Sequence, residues 1–498
     1  MSSAGPFSRR RLAGLLAISA IVAVGAAVRL WDLKAGVPHA VDIGEPQVVD
    51  RAIRILRTGD WNPHIFDDPT LVIYLQALVA IARFLWGAVK GEWISLDGFS
   101  VEAIYTTGRF VAAFIGAAAV WITYRLGTEL ASRRVALIAA AQMAVQPGHV
   151  RESHFILTDV PMTTLATLAV WLSVRAARVR TVRAYAWAGA ACGLAAAAKY
   201  NGGVVLSALA AAWLLNDRSS PDRAKKALAA CGAALLAYSI GSPYTWLDMP
   251  AFLDGFAAQF TRLAGSPPAG DPAGLLYVKH LSQAGGVAWL PLAAAGMALL
   301  LWRPGARVRW APPIVFAVTY FYMLSTHAHV FARYALPLIP MLSLFAAVAV
   351  VELVNQARRV PALARPSAQR ILLAVIVLAL LYPPAASTIG WLKLQRRPDT
   401  RAIAAEWLKT SAPRGARLAV DNSGPTYLGA AGFQVTDVEL LREHDIAWYR
   451  SRVDYLLISA TDLTQYEDYL NAGPVVFQIN PTPQRRGPPI QIVQLVNR

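Results

Sequence analysis

Cysteine and charge are both scarce in this sequence of 498 residues. Two cysteines cannot form the set of disulfides that would hold such a chain together. Charged residues make up 15% of the chain and hydrophobic residues 56%. A soluble domain has about 25% charged and about 45–50% apolar residues. The composition therefore excludes a disordered chain and a disulfide scaffold. It argues against an ordinary soluble enzyme and favours a membrane protein.

Motifs for nucleotides and zinc are also missing. The sequence has neither a P-loop nor a Gly-x-Gly-x-x-Gly turn after a strand. It also lacks the Cys and His spacing of a zinc site. We therefore predict no cofactor and assign no metal ligand, while a divalent metal ion stays open as an alternative.

Basic residues outnumber acidic ones by 47 to 30, which gives a net charge of +17. In a soluble protein this excess would suggest a nucleic-acid partner. Here the basic residues cluster in short segments between apolar runs, where Lys and Arg set the orientation of membrane proteins. We therefore predict contact with membrane lipids and no nucleic-acid partner.

A membrane-spanning helix needs about 20 mostly apolar residues. About eleven segments meet this condition or come near it as short, alanine-rich runs. They are 12–30, 101–124, 135–147, 157–174, 184–198, 204–215, 227–244, 285–302, 310–325, 334–354 and 371–391. A further apolar segment, Pro69–Val89, is ambiguous because Arg83 lies inside it.

The positions of Lys and Arg settle this ambiguity. Six basic clusters follow one another along the chain, with only Glu129, Asp217 and Asp222 beside them. They are Arg9–Arg11, Arg125/Arg133/Arg134, Arg175/Arg178/Arg180/Arg183, Arg218/Arg223/Lys225/Lys226, Arg303/Arg307/Arg309 and Arg358/Arg359/Arg365/Arg370. All fall on the same side as the N-terminus only if Pro69–Val89 does not span. Because positive loops stay inside, we predict that this segment is an outer-surface or re-entrant helix.

This count predicts an integral protein of the inner or plasma membrane, with a cytoplasmic N-terminus and an outer C-terminus. The N-terminal segment also has features of a signal peptide, although its apolar run is longer than usual. The first outer loop, residues 31–100, contains an amphipathic segment, Glu45–Arg57, which predicts a helix on the membrane surface.

The chain divides into two predicted domains, a transmembrane domain of residues 1–391 and an exported domain of residues 392–498. Alternating patterns in the second predict a small α/β fold. We expect helices at Asp399–Thr410 and Thr461–Leu470, and strands at Arg417–Val420, Tyr455–Ser459, Val475–Ile479 and Ile490–Val496.

Polar residues that could carry chemistry collect at the predicted outer ends of the spans. The acidic ones are Asp42, Glu45 and Asp159, and the other candidates are Arg109, Arg151, His154, Lys199, Arg333 and Tyr334. Carboxylates can act as general bases toward a hydroxyl group. Cations can hold a phosphate and stabilise it as a leaving group. A phosphate on a lipid would arrive from within the bilayer, so a lipid phosphate fits these positions better than a nucleotide.

Each of these residues also has a simpler interpretation. Glu45 could be an acid favoured by the dipole at a helix start, and Asp159 could cap a helix. Arg333 could reach up to lipid headgroups. Histidines such as His154 more often form structural hydrogen bonds.

Motifs in five regions resemble the GT-C superfamily of membrane glycosyltransferases, in the protein O-mannosyltransferase and lipid A aminoarabinose transferase branch (glycosyltransferase family 39). The first is the outer loop, with 42–52, 59–63 and 68–75. The others are Gly108-Arg109-Phe110 leading to Arg133-Arg134, then 151–161, Ala198–Gly202 and 333–340. The resemblance covers approximately residues 10–390 and implies a GT-C-like polytopic helical fold with outer juxtamembrane helices at Glu45–Arg57 and Pro69–Val89.

The resemblance implies transfer of a sugar from a polyprenyl-phosphate carrier to an acceptor on the outer face, usually with inversion. The acceptor would be a protein, a lipid or a glycan. The family's acidic pair, usually Asp-Glu, reads Gly44-Glu45 here, so Asp42 or Glu45 would take over the acid's role. The second acid maps onto Asp159. The late Arg-Tyr motif maps onto Arg333 and Tyr334, with Arg333 as the phosphate ligand.

Two other functions stay open at this point. One is a transporter or flippase without covalent chemistry. Transporters tend to have repeated halves and polar breaks at the midplane. This sequence has no evident internal repeat, and its polar residues lie at one face, so this function is disfavoured. The other is an inactive family member, which Gly44 keeps under consideration.

Overall fold

Helices form most of the computed structural model of this protein, which describes residues 6–96, 98–216, 221–263 and 271–495. Contacts between residues divide the chain into two compact units. The first unit comprises Met1–Trp31, Arg51–Ile81 and Gly108–Gly390. The second comprises Asp32–Asp50, Ala82–Thr107 and Trp391–Arg498. The segment after residue 391 therefore shares a compact unit with parts of the predicted first outer loop. The predicted boundary between residues 391 and 392 stays a prediction.

The helices up to residue 216 begin and end as follows. They are α1 Pro6–Arg29, α2 Glu45–Thr58, α3 Leu71–Val89, α4 Val101–Leu130, α5 Arg133–Val145, α6 Pro147–Glu152, α7 Asp159–Val179, α8 Val182–Ala198 and α9 Leu206–Asn216. A 3₁₀ turn, Tyr200–Val205, joins α8 to α9.

The later helices of the first unit are α10 Arg223–Gly241, α11 Tyr244–Leu247, α12 Met249–Leu263, α13 Ala273–Gly285, α14 Trp289–Trp302, α15 Pro304–Ser325, α16 Leu338–Gln356 and α17 Pro366–Gln395, the last of which ends in the second unit. A 3₁₀ turn, Ala332–Ala335, precedes α16.

Each of the eleven predicted spans corresponds to a helix, but their number as membrane spans is not confirmed. Among the described residues, six helices are long and apolar enough to cross a membrane, or seven if the bent pair α13 and α14 counts as one span. These six include Leu71–Val89, which the charge distribution placed at the outer surface. Asp217 and Arg218, which contributed to that argument, lie outside the described residues.

Lipid contact explains the large apolar side chains that α1 and α17 expose. Leu16 in α1 is 62% exposed, and Leu378 and Tyr382 in α17 are 67% and 74% exposed. In water such a surface would be unstable or would bind a partner. Together with the candidate spans, it identifies an integral membrane protein.

Small residues allow α8 and α10 to pack with their backbones in close approach. A Cβ atom added at Gly189 would lie 2.1 Å from the carbonyl oxygen of Ala230, and one at Gly193 would lie 2.1 Å from that of Ala234. Real side chains do not tolerate such distances, so only glycine fits at these two positions. This is the packing that small residues provide in membranes, where hydrophobic burial does not drive helices together.

The second unit contains a five-stranded sheet with strand order β2-β1-β3-β5-β4. The strands are β1 Arg417–Asp421, β2 Gln434–Val438, β3 Tyr455–Ile458, β4 Val475–Ile479 and β5 Ile490–Gln494. β1 is parallel to β2 and β3, whereas β5 is antiparallel to β3 and β4. The remaining helices are α18 Thr400–Ser411, α19 Ile446–Arg450 and α20 Glu467–Leu470.

Alternation along the strands gives this sheet two apolar faces. Leu418 and Val420 pack in one core with Leu408 of α18, while Ala419 packs in another core with Tyr449 of α19. The prediction of a small α/β domain at the C-terminus is confirmed. Helix α18 lies where it was expected, with Asp399 as its N-cap.

Three expectations for the C-terminal segment need correction or completion. Strand β2 was not predicted. The predicted helix Thr461–Leu470 is instead a 3₁₀ turn, Thr464–Tyr466, followed by the short α20. The Asp462 carboxylate accepts hydrogen bonds from the Thr464 amide and hydroxyl, and such local bonds compete with a helix start. Of the predicted strand Ile490–Val496, Val496 lies outside the described residues.

Alanine at position 193 tests the close packing of α8 on α10. We expect Gly193→Ala to destabilise the protein by about 1–3 kcal/mol, because the added methyl group has no space. Thermal unfolding of the purified protein in detergent measures this change. Gly232→Ala in α10 is the matched control, since an added Cβ atom there meets nothing within 4 Å. Equal stability of the two variants would contradict the packing argument.

The Asp421 carboxyl at the end of β1 gives the second unit a pH dependence. Burial raises the pKa of Asp421 from its ordinary 3.8 to about 6. Hydrogen bonds from main-chain amides, above all that of Ser459, oppose this rise. Folding therefore favours the protonated form, and this contribution to stability is lost as the pH rises from about 4 to about 6.

We expect Asp421→Asn to remove this loss. Cleavage of the C-terminal segment by an added protease, compared between variant and wild type at each pH, measures the effect. The comparison cancels the protease's own pH dependence. Parallel pH profiles for the two proteins would show that Asp421 is not the group responsible.

Candidate functional site

The Asp159 carboxylate, at the first residue of α7, lies at the centre of a polar cluster in the first unit. Asp159 is 2% exposed, and its Oδ1 accepts a hydrogen bond of 2.8 Å from Nζ of Lys199. Its Oδ2 lies 3.7 Å from Nε of Arg333. Residue Thr158, not Asp159, is the N-cap of α7. The interpretation of Asp159 as a helix cap is therefore wrong. Its carboxylate instead pairs with two cations, Lys199 and Arg333.

Lys199 reaches this carboxylate because α8 ends beside the start of α7. The lysine is the C-cap of α8, in extended conformation, and the 3₁₀ turn Tyr200–Val205 follows it. Gly202 permits that turn, since a Cβ atom there would lie 2.2 Å from the carbonyl oxygen of Ala195. The Lys199 ammonium also lies 4.5 Å from the centre of the Tyr334 ring, within the range of a cation–π interaction.

Tyr334 and Arg333 lie in the 3₁₀ turn that precedes α16, and the hydroxyl of Tyr320 fixes this turn. That hydroxyl donates a hydrogen bond of 3.2 Å to the Tyr334 carbonyl oxygen and accepts one of 3.1 Å from Nδ2 of Asn201. Tyr320 thereby links the turn after α8 to the turn before α16. The Arg333 side chain keeps 30% of its surface exposed, compared with 10% for Lys199.

A second carboxylate, Asp68, belongs to the same cluster and was not among the predicted site residues. Its Oδ2 accepts a hydrogen bond of 3.2 Å from Oγ1 of Thr158, next to Asp159. Burial raises the pKa of the Asp68 carboxyl, while the positive charge of Lys199 opposes this effect. The Tyr200 hydroxyl, which donates to the Phe66 carbonyl oxygen at 3.0 Å, holds the loop in place. The sequence offered two signals. Asp68 lies in the first outer loop with Asp42 and Glu45, and it directly precedes Pro69 in a stretch that resembles the GT-C superfamily.

The structure thus brings together four of the nine predicted site residues: Asp159, Lys199, Arg333 and Tyr334. An imidazole lies beside them, with the ring of His327 6.2 Å from that of Tyr334. Two acids and two cations at the ends of helices can hold an anion and orient it. Within the described ranges, no three His, Cys, Asp or Glu side chains gather in a way that suits a metal ion.

Three predicted residues of the first unit have contacts typical of structural support. The ring nitrogens of His154 lie 2.8 Å from the Val150 carbonyl oxygen and 3.0 Å from that of Trp31. The buried guanidinium of Arg109 lies 5.5 Å from the centre of the Phe155 ring. Arg151 pairs with its neighbour Glu152 at 3.4 Å and is half exposed. Their predicted role in substrate binding stays a prediction.

Asp42 and Glu45 belong to the second unit, where they form the turn that starts α2. The amide of Gly44 donates to Oδ1 of Asp42 at 3.0 Å. The amide of Asp42 donates to Oε2 of Glu45, also at 3.0 Å. Glu45 is fully buried and begins α2, whereas Asp42 is half-buried. The two acids thus share one turn, as their spacing of three residues allows.

Comparison with known proteins gives one family match and several similar folds. The family described as dolichyl-phosphate-mannose-protein mannosyltransferase matches residues 95–246. No curated protein matches this sequence at a significant level.

Two solved membrane proteins have a similar fold. ArnT from Cupriavidus metallidurans, bound to undecaprenyl phosphate, has a TM-score of 0.64 at 13% identity, over 97% of this chain and 98% of that one. The archaeal oligosaccharyltransferase AglB from Archaeoglobus fulgidus, in complex with an inhibitory peptide and a dolichol-phosphate, has a TM-score of 0.60 at 13% identity. That likeness covers 90% of this chain and 70% of the archaeal one.

Replacing Lys199 tests whether the cluster depends on its buried ion pair. We expect Lys199→Met to destabilise the protein by about 3–5 kcal/mol, since it leaves a buried carboxylate without its closest cation. Arg333→Met should cost less, because the Arg333 side chain is more exposed and more distant from Asp159. Thermal unfolding in detergent compares the two variants. The argument is wrong if the arginine variant is the less stable one.

Proposed function

We propose that this chain, which has the fold of the GT-C superfamily of membrane glycosyltransferases, transfers a sugar from a polyprenyl-phosphate carrier to an acceptor. The GT-C resemblance read from the sequence is confirmed by the family match and the similar folds. Sugar transfer, the residues that carry it and the outer face as its location are our proposal.

The observation that carries this proposal is the buried Asp159 carboxylate with Lys199 and Arg333 beside it. A carrier phosphate needs cations that are held in place before it arrives. Asp159 holds both, and the partly exposed Arg333 can still turn its guanidinium toward a phosphate. The guanidinium offers paired donors that match phosphate geometry. The solved structures with undecaprenyl phosphate and dolichol-phosphate support a carrier of this chemistry.

The reaction follows from these roles. A hydroxyl group of the acceptor attacks the anomeric carbon of the sugar and loses its proton to a carboxylate, Asp42 or Glu45. The bond between that carbon and the phosphate oxygen breaks, and the polyprenyl phosphate leaves with the bond's electrons. Arg333 and Lys199 stabilise its charge, and Tyr334 borders the position of the phosphate. Attack opposite to the leaving phosphate inverts the anomeric configuration.

We also propose the orientation that the basic clusters indicate, with a cytoplasmic N-terminus and the C-terminal domain on the outer side. The acceptor would then be a protein, a lipid or a glycan outside the cytoplasm. This orientation keeps Lys and Arg in the inner loops, as they are in membrane proteins generally.

Amide replacement of both acids tests the proposed base. We expect Asp42→Asn/Glu45→Gln to abolish sugar transfer, because an amide cannot take a proton from the acceptor. The amide oxygens can still accept the hydrogen bonds that shape the turn, so the loss reports the missing charge. Transfer is measured with the purified protein in lipid nanodiscs and a panel of labelled polyprenyl-phosphate sugars.

Asp462→Asn is the matched control, an acid-to-amide change on the surface of the second unit. It should leave transfer unchanged. Wild-type transfer by the double variant would refute the assignment of the base. Failure of the wild type to release sugar from any member of the panel would instead refute the proposed activity. Movement of the intact lipid-linked sugar across a vesicle would then indicate a flippase.

A further inference from the structure

The acids Asp42 and Glu45 lie in a segment, Asp32–Asp50, that belongs to the same compact unit as the C-terminal α/β sheet. More than 360 residues of sequence separate this segment from strand β1. Among the described residues, the contacts that join them include hydrogen bonds from three residues of the C-terminal segment: Arg401, Thr426 and Tyr427.

Thr426 binds the segment just before the acids with three hydrogen bonds. Its amide donates to the His39 carbonyl oxygen at 3.0 Å, and its hydroxyl donates to that of Pro38 at 2.5 Å. The third bond, of 2.8 Å, joins the Thr426 carbonyl oxygen to Nδ1 of His39. Since a carbonyl oxygen can only accept, Nδ1 carries the proton. One residue therefore fixes both the main chain and the side chain of position 39.

Arg401 binds the next two residues. Its Nη1 donates to the Val41 carbonyl oxygen at 2.9 Å and its Nη2 to that of Ala40 at 3.3 Å. The same guanidinium pairs with Asp399, with Nε 3.0 Å from Oδ1. Asp399 is the N-cap of α18, so the arginine is fixed by the helix that packs on the sheet.

Tyr427 binds the far side of the acidic turn. Its hydroxyl donates to Oδ1 of Asp50 at 2.6 Å. The Tyr105 hydroxyl, 2.8 Å away, must then be the donor to Tyr427. Tyr427 has a φ of +57°, a conformation that aromatic residues rarely adopt unless their surroundings hold them in it. Contacts at 38–41 and at 50 thus lie on both sides of Asp42 and Glu45.

These contacts occupy the position at which α/β sheets usually bind ligands. In a sheet with the order β2-β1-β3, the ligand crevice lies beyond the carboxyl ends of β1 and β3. Thr426 and Tyr427 lie in the loop that follows β1, five and six residues after its last residue, Asp421. In this chain they hold a loop of the same molecule. They do so mainly through its main-chain oxygens rather than through the carboxylates of Asp42 and Glu45.

We propose that the C-terminal sheet domain is a positioning module for the acidic turn, with Thr426, Arg401 and Tyr427 as positioning residues. This inference rests on the proposed role of Asp42 or Glu45 as the base that accepts the acceptor's proton. A base works only within hydrogen-bond reach of that proton, and small displacements cost much of the rate. By fixing the residues on both sides of the turn, the domain sets where the carboxylates lie.

The pair Thr426→Val and Thr426→Ser tests this role. Valine has the shape of threonine but lacks the hydroxyl that binds Pro38, whereas serine keeps it. We expect faster hydrogen–deuterium exchange in residues 36–44 of the valine variant and near-wild-type exchange in the serine variant. Sugar transfer by the valine variant should fall about 10- to 100-fold in kcat/KM for the acceptor. Its KM for the lipid-linked donor should stay unchanged, and serine should restore transfer.

Arg401→Ala is the second variant and Arg417→Gln the control. Arg401→Ala should have the same effects as valine at 426, since it removes the bonds to Ala40 and Val41. Arg417 pairs with Asp454 near the start of β1, so its loss should not change exchange in residues 36–44. Both variants are measured in the full-length protein in nanodiscs.

Unchanged exchange in residues 36–44 for both Thr426→Val and Arg401→Ala would overturn the docking of the turn, whatever the activity. Faster exchange with unchanged kinetics for the acceptor would overturn its role in transfer. If the wild type releases no sugar, the proposed function fails and the catalytic half of this inference fails with it. The exchange data would still decide whether the domain holds the turn.

Discussion

The buried ion pair between Asp159 and Lys199 is the constraint on which the candidate site depends. A charge removed from water needs a close partner, and the desolvation cost of such a pair often cancels its attraction. A core built for stability alone would replace both residues with apolar ones. Their presence at the start of α7 and the end of α8 therefore points to a use for the charges. The pair also fixes the lysine, so that Arg333 is left as the more exposed cation.

The charge balance of the cluster depends on Asp68. With both acids ionised, Asp68 and Asp159 neutralise Lys199 and Arg333. Burial favours the protonated form of Asp68. Whenever Asp68 holds a proton, these four groups carry an excess of one positive charge, which suits a phosphate anion. A proton on one carboxyl can thus compensate for an anion that enters, without any movement of the ion pair.

Close backbone packing provides the geometry that this arrangement requires. Gly189 and Gly193 let α8 approach α10, and Gly202 lets the turn after Lys199 fold against α8. The alanine-rich sequence of α8 predicts a short, tightly packed span. The sequence also predicted most of the elements around the site, because apolar runs and clustered arginines are strong local signals. It placed all nine candidate residues at the outer ends of helices, and the structure brings four of them, Asp159, Lys199, Arg333 and Tyr334, into one cluster.

Other features depend on tertiary contacts that no local pattern encodes. Strand β2 reads Gln-Val-Thr-Asp-Val, and its polar residues give no clear strand pattern because it is an edge strand that is paired only with β1. Asp68 resembles an ordinary loop acid until the structure brings it beside Thr158. The bonds from Thr426 and Arg401 to residues 38–41 cross most of the chain, and their partners are main-chain oxygens, which leave no trace in the sequence.

Gly44 stands where the superfamily that this sequence resembles usually has an acid, and its effect is best understood from the turn that contains it. The Gly44 amide donates to Asp42, and the Asp42 amide donates to Glu45, so the two carboxylates are tied into one turn across the missing acid. Their burial then separates their roles. Glu45 is fully buried at the start of α2, where its charge also favours the helix. Asp42 is only half-buried and can meet an acceptor that approaches from water. Of the two proposed bases, Asp42 is therefore the more accessible one, and Glu45 also holds the main chain of Asp42 in place.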